Sequence, residues 1–284
     1  MTRARRCLLD VGGTFIKCAD GRSVPISSSG SREEIVAALR EALGSDRPDA
    51  AAVAIPGPFD YARGVFLMKH KFTAVYGENF RILVGLPDDI PLVFIHDVNC
   101  MLLGTLHRGV AGSARRVALV TLGTGLGYAE SLDGALQCNP MGSPARPIWN
   151  APYRDGIAED YVSKRGIMRL WTAVSGKPWP EGKTVKDLAS AAFGKESNSD
   201  FSREEAREAF AEAGRCLGEI LASPLRENEM ECLLVGGQIA KSFALMEPSL
   251  RAALSHLPSL HSISSLPNLD TATFDGLEAL LTGQ

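Results

Sequence analysis

Two segments of the chain each lead from an apolar strand into a turn of glycine and threonine. The first reads Asp10-x-Gly12-Gly13-Thr14-x-x-Lys17, and the second reads Gly123-Thr124-Gly125-Leu126-Gly127. Glycines between apolar strands are costly unless the backbone must bend sharply or another molecule must come close. Backbone N–H groups in such a turn can hold phosphate oxygens, and a neighbouring carboxylate can orient hydrated Mg²⁺. The two turns together therefore indicate phosphate binding more strongly than either turn alone.

Each turn also has a plain structural interpretation. The Asp10 turn could be only a hairpin, and the second turn could be a bend in a twisted strand. The second turn does not match the dinucleotide pattern G-x-G-x-x-G, because its third glycine comes one residue early. The likeness of the two strand-turn units fits an ancient duplication that produced two similar lobes, although chance likeness explains it as well.

Strands and helices alternate along the chain. Apolar runs predict strands at 6–11, 15–19, 51–55, 92–95, 117–122 and 231–235. Helical patterns follow at 31–43, where Ser31 and Glu34 form a capping box, and at 97–107. A second capping box is predicted at Ser202 and Glu205. This alternation predicts a mostly parallel or mixed sheet covered by helices, which is the α/β class.

Composition excludes several classes of partner. A net charge of −3 leaves no excess of positive charge for neutralising nucleic-acid phosphates. No apolar run approaches the roughly 20 residues that span a bilayer, and the N-terminus lacks the pattern of a signal peptide. The cysteines form no C-x-x-C pair and indicate buried reduced thiols. They are Cys7, Cys18, Cys100, Cys138, Cys216 and Cys232. We therefore expect a cytoplasmic protein with a small-molecule substrate and with neither membrane nor nucleic acid as partner.

Two further strand ends carry candidate site residues. Asp97 follows the apolar strand at 92–95 and begins a helix, at the sheet edge where α/β proteins place ligands. Its alternative role is a helix N-cap, which Asp fills well. Gly236-Gly237 joins a strand to a helix without side chains, so a flat adenine could lie there. A tight strand-to-helix turn explains the two glycines equally well.

These four segments, in this order and spacing, resemble the motifs of the ROK family of sugar kinases and repressors, within the actin/hexokinase/Hsp70 superfamily. The resemblance covers most of the chain. It implies a two-lobed actin-like (ribonuclease H-like) α/β fold with ATP in the cleft between the lobes. Residues 1–109 would form the N-terminal lobe and residues 110–272 the C-terminal lobe. Residues 273–284 would form a helix that packs back on the N-terminal lobe.

The resemblance also implies an activity and residue roles. The activity is ATP- and Mg²⁺-dependent phosphorylation of a hexose or N-acetylhexosamine, similar to that of glucokinase, with Asp97 as general base and Asp10 orienting Mg²⁺ through water. The implied ATP- and phosphate-binding residues are Asp10, Gly12, Gly13, Thr14, Lys17, Gly123, Thr124, Gly125, Gly236 and Gly237. The implied sugar-binding residues are Gly57, His96, Asp97 and Glu159. Glu159 could instead be a first-turn helix glutamate favoured by the helix dipole.

The sequence departs from the family pattern in three places. His96 stands where the family usually has Asn before the catalytic Asp. The Glu-x-Gly-His segment that contacts the sugar in many members does not occur between Gly127 and Trp149. The zinc cysteines would fall at Asn150, Pro152 and Ile157, so no zinc site is expected.

These departures leave two alternatives open. One is a sugar- or nucleotide-sensing protein without turnover, and the other is a kinase of a non-sugar acceptor. The sequence does not fix the sugar, the phosphorylated hydroxyl or the oligomeric state, for which a homodimer is one option.

Overall fold

The structure is a computed structural model that describes residues 5–194 and 200–283. Strands and helices are numbered along the chain. The strands are β1 (Arg6–Val11), β2 (Phe15–Cys18), β3 (Ser23–Pro25), β4 (Ala50–Ile55), β5 (Phe59–Asp60), β6 (Val65–Phe66), β7 (Leu92–His96), β8 (Arg116–Leu122), β9 (Leu126–Leu132), β10 (Ala135–Leu136), β11 (Pro152–Tyr153), β12 (Gly156–Ile157), β13 (Cys232–Gly236) and β14 (Ser262–Ser265). The helices are α1 (Arg32–Leu43), α2 (Phe80–Val84), α3 (Asp97–His107), α4 (Glu159–Val162), α5 (Lys164–Ser175), α6 (Val185–Phe193), α7 (Arg203–Glu227), α8 (Phe243–Leu254) and α9 (Ala272–Thr282). Short 3₁₀ helices span Thr73–Val75 and Gln238–Ser242.

The chain divides into two compact units. The first combines the residues up to Gly112 with the segments 135–145 and 270–284, and the second combines Ser113–Gly134 with Arg146–Leu269. Sequence alone assigns segment 135–145 to the C-terminal lobe. The difference arises because no local pattern marks a segment that leaves one unit and returns to it shortly afterwards.

The first unit is built on a five-stranded sheet in the order β3-β2-β1-β4-β7. Strands β1, β4 and β7 are parallel, whereas β1, β2 and β3 form an antiparallel meander. One face of the sheet packs its apolar side chains against α1, including Leu9, Val53 and Leu39, which are fully buried. The other face packs Leu8, Ala52 and neighbouring side chains against Leu277 of α9. Each face is therefore covered by helices, as the α/β pattern predicts.

Helices α3 and α9 cross at two glycines. A Cβ on Gly104 would lie 2.0 Å from the carbonyl oxygen of Ala272, and a Cβ on Gly276 would lie 2.0 Å from the carbonyl oxygen of Cys100. No side chain fits at such distances, so both positions require glycine. The C-terminal helix is thus seated directly on the helix that begins at Asp97.

The second unit repeats the topology of the first. Its sheet runs β9-β8-β13-β14, with β8 and β9 antiparallel and β13 parallel to both β8 and β14. The order β2-β1-β4-β7 in the first unit has the same directions. The duplication suggested by the two strand-turn units therefore extends to the strand order of both sheets.

Helix boundaries follow the sequence signals closely. Ser31 and Glu34 form the predicted capping box of α1, and α3 spans the residues predicted for it. The second predicted box, at the start of α7, is only half formed. Ser202 accepts the N–H of Glu205 at 3.1 Å, but the Glu205 carboxylate pairs with Lys177 at 2.9 Å instead of reaching back. The ion pair with a lysine distant in sequence thus replaces the second hydrogen bond of the capping box.

The cysteine prediction is correct for five positions and wrong for one. All six thiols are free, but Cys138 is exposed, because it lies in the loop of segment 135–145 and not in an apolar strand. Within residues 5–194 and 200–283, no helix has both the length and the apolarity needed to cross a membrane.

Candidate functional site

Three parallel strands of the first unit bring the predicted residues to one edge of the sheet. Asp10 lies opposite Ala54 near the end of β4, and Ile55 lies opposite His96 at the end of β7. Since these strands run in the same direction, their carboxyl ends meet at one edge, where open α/β sheets bind ligands. Asp10, the Pro56-Gly57-Pro58 loop and Asp97 are therefore brought to the same edge.

The first glycine turn is a tight connection between β1 and β2. Gly12 donates its N–H to the carbonyl of Phe15 at 2.9 Å, and a Cβ on Gly12 would lie 3.0 Å from that oxygen. The carbonyl of Gly13 accepts the N–H of Ser28 at 3.0 Å. In the described part of the chain, the N–H groups of Gly13 and Thr14 have no acceptor. This leaves two donors at the turn for an anion.

Asp97 is held by its neighbours through one carboxylate oxygen. Oδ1 accepts the N–H of Val98 at 2.7 Å and lies 2.8 Å from Nδ1 of His96. Because Val98 N lies 3.3 Å from Nδ1 and closer to Oδ1, we assign the Nδ1 proton as a donor to Asp97. Oδ2 has no partner among the residues the structure describes, and the Asp97 side chain is 46% exposed. Oδ2 is thus free to meet a ligand.

The two carboxyl groups at this edge have pKa values displaced in opposite directions. Burial opposes ionisation of Asp97, but the charge and hydrogen bond of His96 and the N–H of Val98 outweigh it and hold the pKa of Asp97 below its usual value. Burial and the nearby Asp97 charge raise the pKa of Asp10 to about 6, although Lys17, its cross-strand neighbour, acts against the change. Neighbouring carboxyl groups whose pKa values diverge in this way are typical of functional sites.

Gly57 marks a point where three side chains converge. A Cβ built on Gly57 would lie 3.3 Å from His96 Cδ2, from Tyr61 Oη and from Ser143 Oγ. The peptide bond between Gly57 and Pro58 is cis. Gly57 therefore permits a close approach of the loop to the ring of His96, directly beside Asp97.

Three residues near this edge are missing from the sequence prediction. Tyr61 and Ser143 join the Gly57 cluster, and Lys71 is close enough to Asp97 for its charge to help lower the pKa of that carboxyl. Phe72, which follows Lys71, has a positive φ of 53° and donates its N–H to Ser28 at 2.6 Å. Only the basic run at 69–71 offered a sequence signal, because Tyr61 and Ser143 are placed by tertiary packing alone.

The second glycine turn lies in the second unit and is supported by a carboxylate from outside the turn. Gly123 donates its N–H to the carbonyl of Gly125 at 3.0 Å, while the N–H groups of Thr124 and Gly125 have no acceptor among the described residues. Glu159 accepts the N–H of Leu126 at 3.0 Å and pairs with Arg165 at 3.0 Å. A Cβ on Gly125 would lie 2.8 Å from the Glu159 carboxylate. Glu159 thus supports this turn, and its implied role as a sugar ligand stays a prediction.

Gly236 is the last residue of strand β13, and Gly237 follows it. A Cβ on Gly237 would lie 2.3 Å from the carbonyl oxygen of Leu122, and its φ is +83°. Close packing against β8 therefore requires glycine at this position whether or not adenine binds there. A 3₁₀ helix and then α8 follow, where the sequence predicts a helix directly after the two glycines.

The region where the family has its zinc cysteines is held by aromatic and ionic contacts. The rings of Tyr153 and Tyr161 meet edge to face at 4.9 Å. The Arg154 guanidinium lies 5.0 Å and 5.3 Å from these rings and pairs with Glu212 at 3.0 Å. Within the described ranges, no group of three or more His, Cys, Asp or Glu side chains could hold a metal ion. The lack of zinc stays a prediction.

Comparison with known proteins shows which solved structures have a similar fold. No protein-family model and no curated protein sequence matches the chain. Among solved structures, a ROK family glucokinase from Streptomyces griseus in complex with glucose and AMPPNP matches at a TM-score of 0.72 and 20% identity, covering 98% of this chain and 99% of that one. A putative N-acetylmannosamine kinase from Listeria monocytogenes matches at a TM-score of 0.76 and 17% identity, over 98% and 99% of the two chains.

A third similar structure is a regulator. It is a ROK family transcriptional regulator, a homologue of the E. coli MLC protein, with a TM-score of 0.71 and 17% identity, covering 97% of this chain and 80% of that one. The predicted α/β class and the resemblance to ROK proteins are thereby confirmed at the level of the fold. The chain has the fold of the ROK family, which kinases and a regulator share.

Proposed function

We propose that the protein is an ATP-dependent kinase of the ROK family that phosphorylates a hydroxyl group of a hexose or N-acetylhexosamine. The observation that carries this proposal is the pair of carboxyl groups at one sheet edge of the first unit. Asp97, with a lowered pKa, is ionised at neutral pH and presents a free oxygen. Asp10 lies beside a glycine turn with two unpaired N–H donors.

In this proposal Asp97 is the general base. Its Oδ1 is committed to Val98 and His96, so Oδ2 takes the proton of the acceptor hydroxyl. His96 and the start of α3 hold the carboxylate in place during that transfer. A base positioned in this way contributes roughly 10²–10⁴-fold to the rate. The lowered pKa keeps Asp97 able to accept a proton throughout the neutral range.

Each glycine turn, taken by itself, offers donors for phosphate oxygens. The unpaired N–H groups of Gly13, Thr14, Thr124 and Gly125 are donors of the kind that hold phosphate oxygens. Asp10 would orient Mg²⁺ through water, and Mg²⁺-ATP would supply the transferable phosphoryl group. Phosphoryl transfer depends mainly on such positioning and charge stabilisation.

An acceptor panel tests this function. Purified protein with Mg²⁺-ATP is incubated with hexoses, N-acetylhexosamines, polyols and nucleosides, and ADP release is followed by a coupled assay. We expect release that depends on one sugar or a few related sugars. Release with polyols or nucleosides alone would make the protein a kinase of another acceptor class. Sugar binding without ADP release from any acceptor would make it a sensor.

Gly123→Ala tests the second turn with little structural cost. The φ of Gly123 is not in the positive region, and a Cβ added there would meet no atom within 4 Å. If phosphates approach the turn, the new methyl group occupies their space, and we expect the KM for ATP to rise about tenfold or more. The melting temperature should stay close to that of the wild type. An unchanged KM for ATP in this variant would remove the turn from the ATP site.

A further inference from the structure

Segment 135–145 contains a rigid turn that packs beside the proposed base. Asn139 accepts the N–H groups of Met141 and Ser143 through its side chain at 2.9 and 3.2 Å. Its own N–H donates to the carbonyl of Ser143 at 2.8 Å, and Gly142 donates to the carbonyl of Asn139 at 2.9 Å. These bonds close the turn on itself, so its shape does not depend on a ligand.

The turn is also tied to the helix that begins at Asp97. The buried amide of Asn99 donates to the sulfur of Cys138 and to the carbonyl of Gly142, each at 3.3 Å. Tyr61 donates its N–H to the carbonyl of Met141 at 3.3 Å. Both ends of the turn are therefore fixed relative to the catalytic aspartate.

The hydroxyl of Ser143 converges with the phenol oxygen of Tyr61 on Gly57. Tyr61 donates its hydroxyl proton to the carbonyl of Ile55 at 2.9 Å. Burial and the negative charge of Asp97 raise the pKa of Tyr61 well above its usual value, so that proton is kept. Ser143 Oγ and Tyr61 Oη each lie 3.3 Å from a Cβ built on Gly57, so the Ser143 hydroxyl is placed to donate to the phenol oxygen. Its lone pairs are left to accept from another molecule, and Ser143 is only half-buried.

We infer that the turn 138–143 forms a wall of the acceptor pocket and that Ser143 Oγ accepts a hydrogen bond from a second hydroxyl of the sugar, beside the hydroxyl that faces Asp97. This inference rests on the proposed sugar-kinase function and names a specificity-determining residue of that site. The convergence of Ser143, His96 and Tyr61 on the Gly57 loop places Oγ at the same edge as the proposed base. The acceptor class is thus a sugar ring with neighbouring hydroxyl groups.

Ser143→Ala tests this assignment, with Ser45→Ala, an exposed serine of the same unit, as control. With the best acceptor of the panel, we expect the KM for the acceptor to rise about tenfold in Ser143→Ala, the size of effect lost with one hydrogen bond to a bound ligand. The KM for ATP and the melting temperature should be unchanged, and Ser45→Ala should match the wild type. Among single-deoxy analogues of the acceptor, one should be equally poor for the wild type and for Ser143→Ala, because that analogue lacks the hydroxyl that Ser143 binds.

The possible results separate failure of the inference from failure of the proposed function. An acceptor KM within twofold of wild type, or a rise in both KM values with a lower melting temperature, would overturn the role of Ser143 while the kinase stands. If a sugar binds by calorimetry without ADP release, the kinase proposal fails, and the same tenfold loss of sugar affinity in Ser143→Ala would still support the pocket. If no sugar in the panel binds or is phosphorylated, both are overturned.

Discussion

Replacing Asp97 by Asn should lower kcat by a factor of about 10² or more while the protein stays folded and still binds its sugar. Asn keeps the shape of the side chain and an oxygen that can accept the N–H of Val98, the bond that Asp97 makes at 2.7 Å. The N-cap of α3 is His96 and not Asp97, which the sequence alone offered as a cap, so the substitution leaves the cap residue in place. The substitution removes the negative charge and the ability of Oδ2 to take a proton. The largest loss should therefore be in catalysis, with a small fall in melting temperature, because a lowered pKa means that the charge of Asp97 also stabilises the fold.

Three measurements on the Asp97→Asn protein decide its role. Melting temperature reports the stability of the fold, calorimetry reports sugar affinity, and coupled ADP release reports turnover. Asp88→Asn, an exposed carboxylate of the same unit, serves as the control and should behave like wild type. Turnover like that of the wild type in a well-folded Asp97→Asn protein would remove Asp97 as the base and leave it only a structural role.

Asp10→Asn should make the protein more stable at neutral pH while reducing its activity by about 10²-fold or more. The folded protein raises the pKa of Asp10 to about 6 from an ordinary value of 3.8. Folding therefore disfavours the charged form, and a neutral side chain removes that penalty. The expected gain at pH 7 is about 1 to 3 kcal/mol, since a tenfold change in an ionisation constant corresponds to about 1.4 kcal/mol.

The stability gained by Asp10→Asn should depend on pH in a defined direction. A group with a raised pKa in the folded state favours folding below its unfolded pKa, and this contribution is lost as pH rises through its folded pKa. The advantage of Asp10→Asn should thus appear as pH rises from about 4 to 6 and vanish in more acidic buffer. Activity of the wild type should fall below about pH 6, because Asp10 then binds a proton, and bound Mg²⁺ should shift this fall to lower pH by favouring the charged carboxylate.

Asp20→Asn is a control for which the opposite change in stability is expected. The N–H and guanidinium of Arg22 hold the pKa of Asp20 below its usual value. Removing the Asp20 charge should therefore slightly destabilise the protein at neutral pH. Denaturant unfolding of the three proteins at several pH values measures these differences. If Asp10→Asn is less stable than the wild type at pH 7, the pKa of Asp10 is not raised in the folded protein. Asp10 would then have a structural role, and its charge would not be explained by function alone.

The parts of the site that could be predicted are those in which sequence neighbours are also structural neighbours. Asp10 and Asp97 each stand where an apolar strand stops, and a strand end is fixed by a few local residues. The capping box of Ser31 and Glu34 is local in the same sense. Parallel pairing then brings the strand ends to one edge of the sheet without further information.

The parts that could not be predicted depend on contacts distant in sequence. Tyr61 and Ser143 meet across a wide separation, and no periodicity marks either of them. Glu159 lies at the start of a helix, where a glutamate has a local reason to be. The structure adds its bond to the N–H of Leu126, which stabilises a turn in another part of the unit. The exposure of Cys138 has the same origin, because segment 135–145 belongs to the first unit.

The crossing of α3 and α9 has a consequence for synthesis on the ribosome. Domains generally fold from the N-terminus onward as the chain is made. Here the second unit has all its residues once Leu269 has emerged, whereas the first unit still lacks α9. The groove at Gly104 stays open until Gly276 reaches it. The first unit is therefore completed after the second, and the helix carrying Asp97 gains its full packing only when α9 has been made.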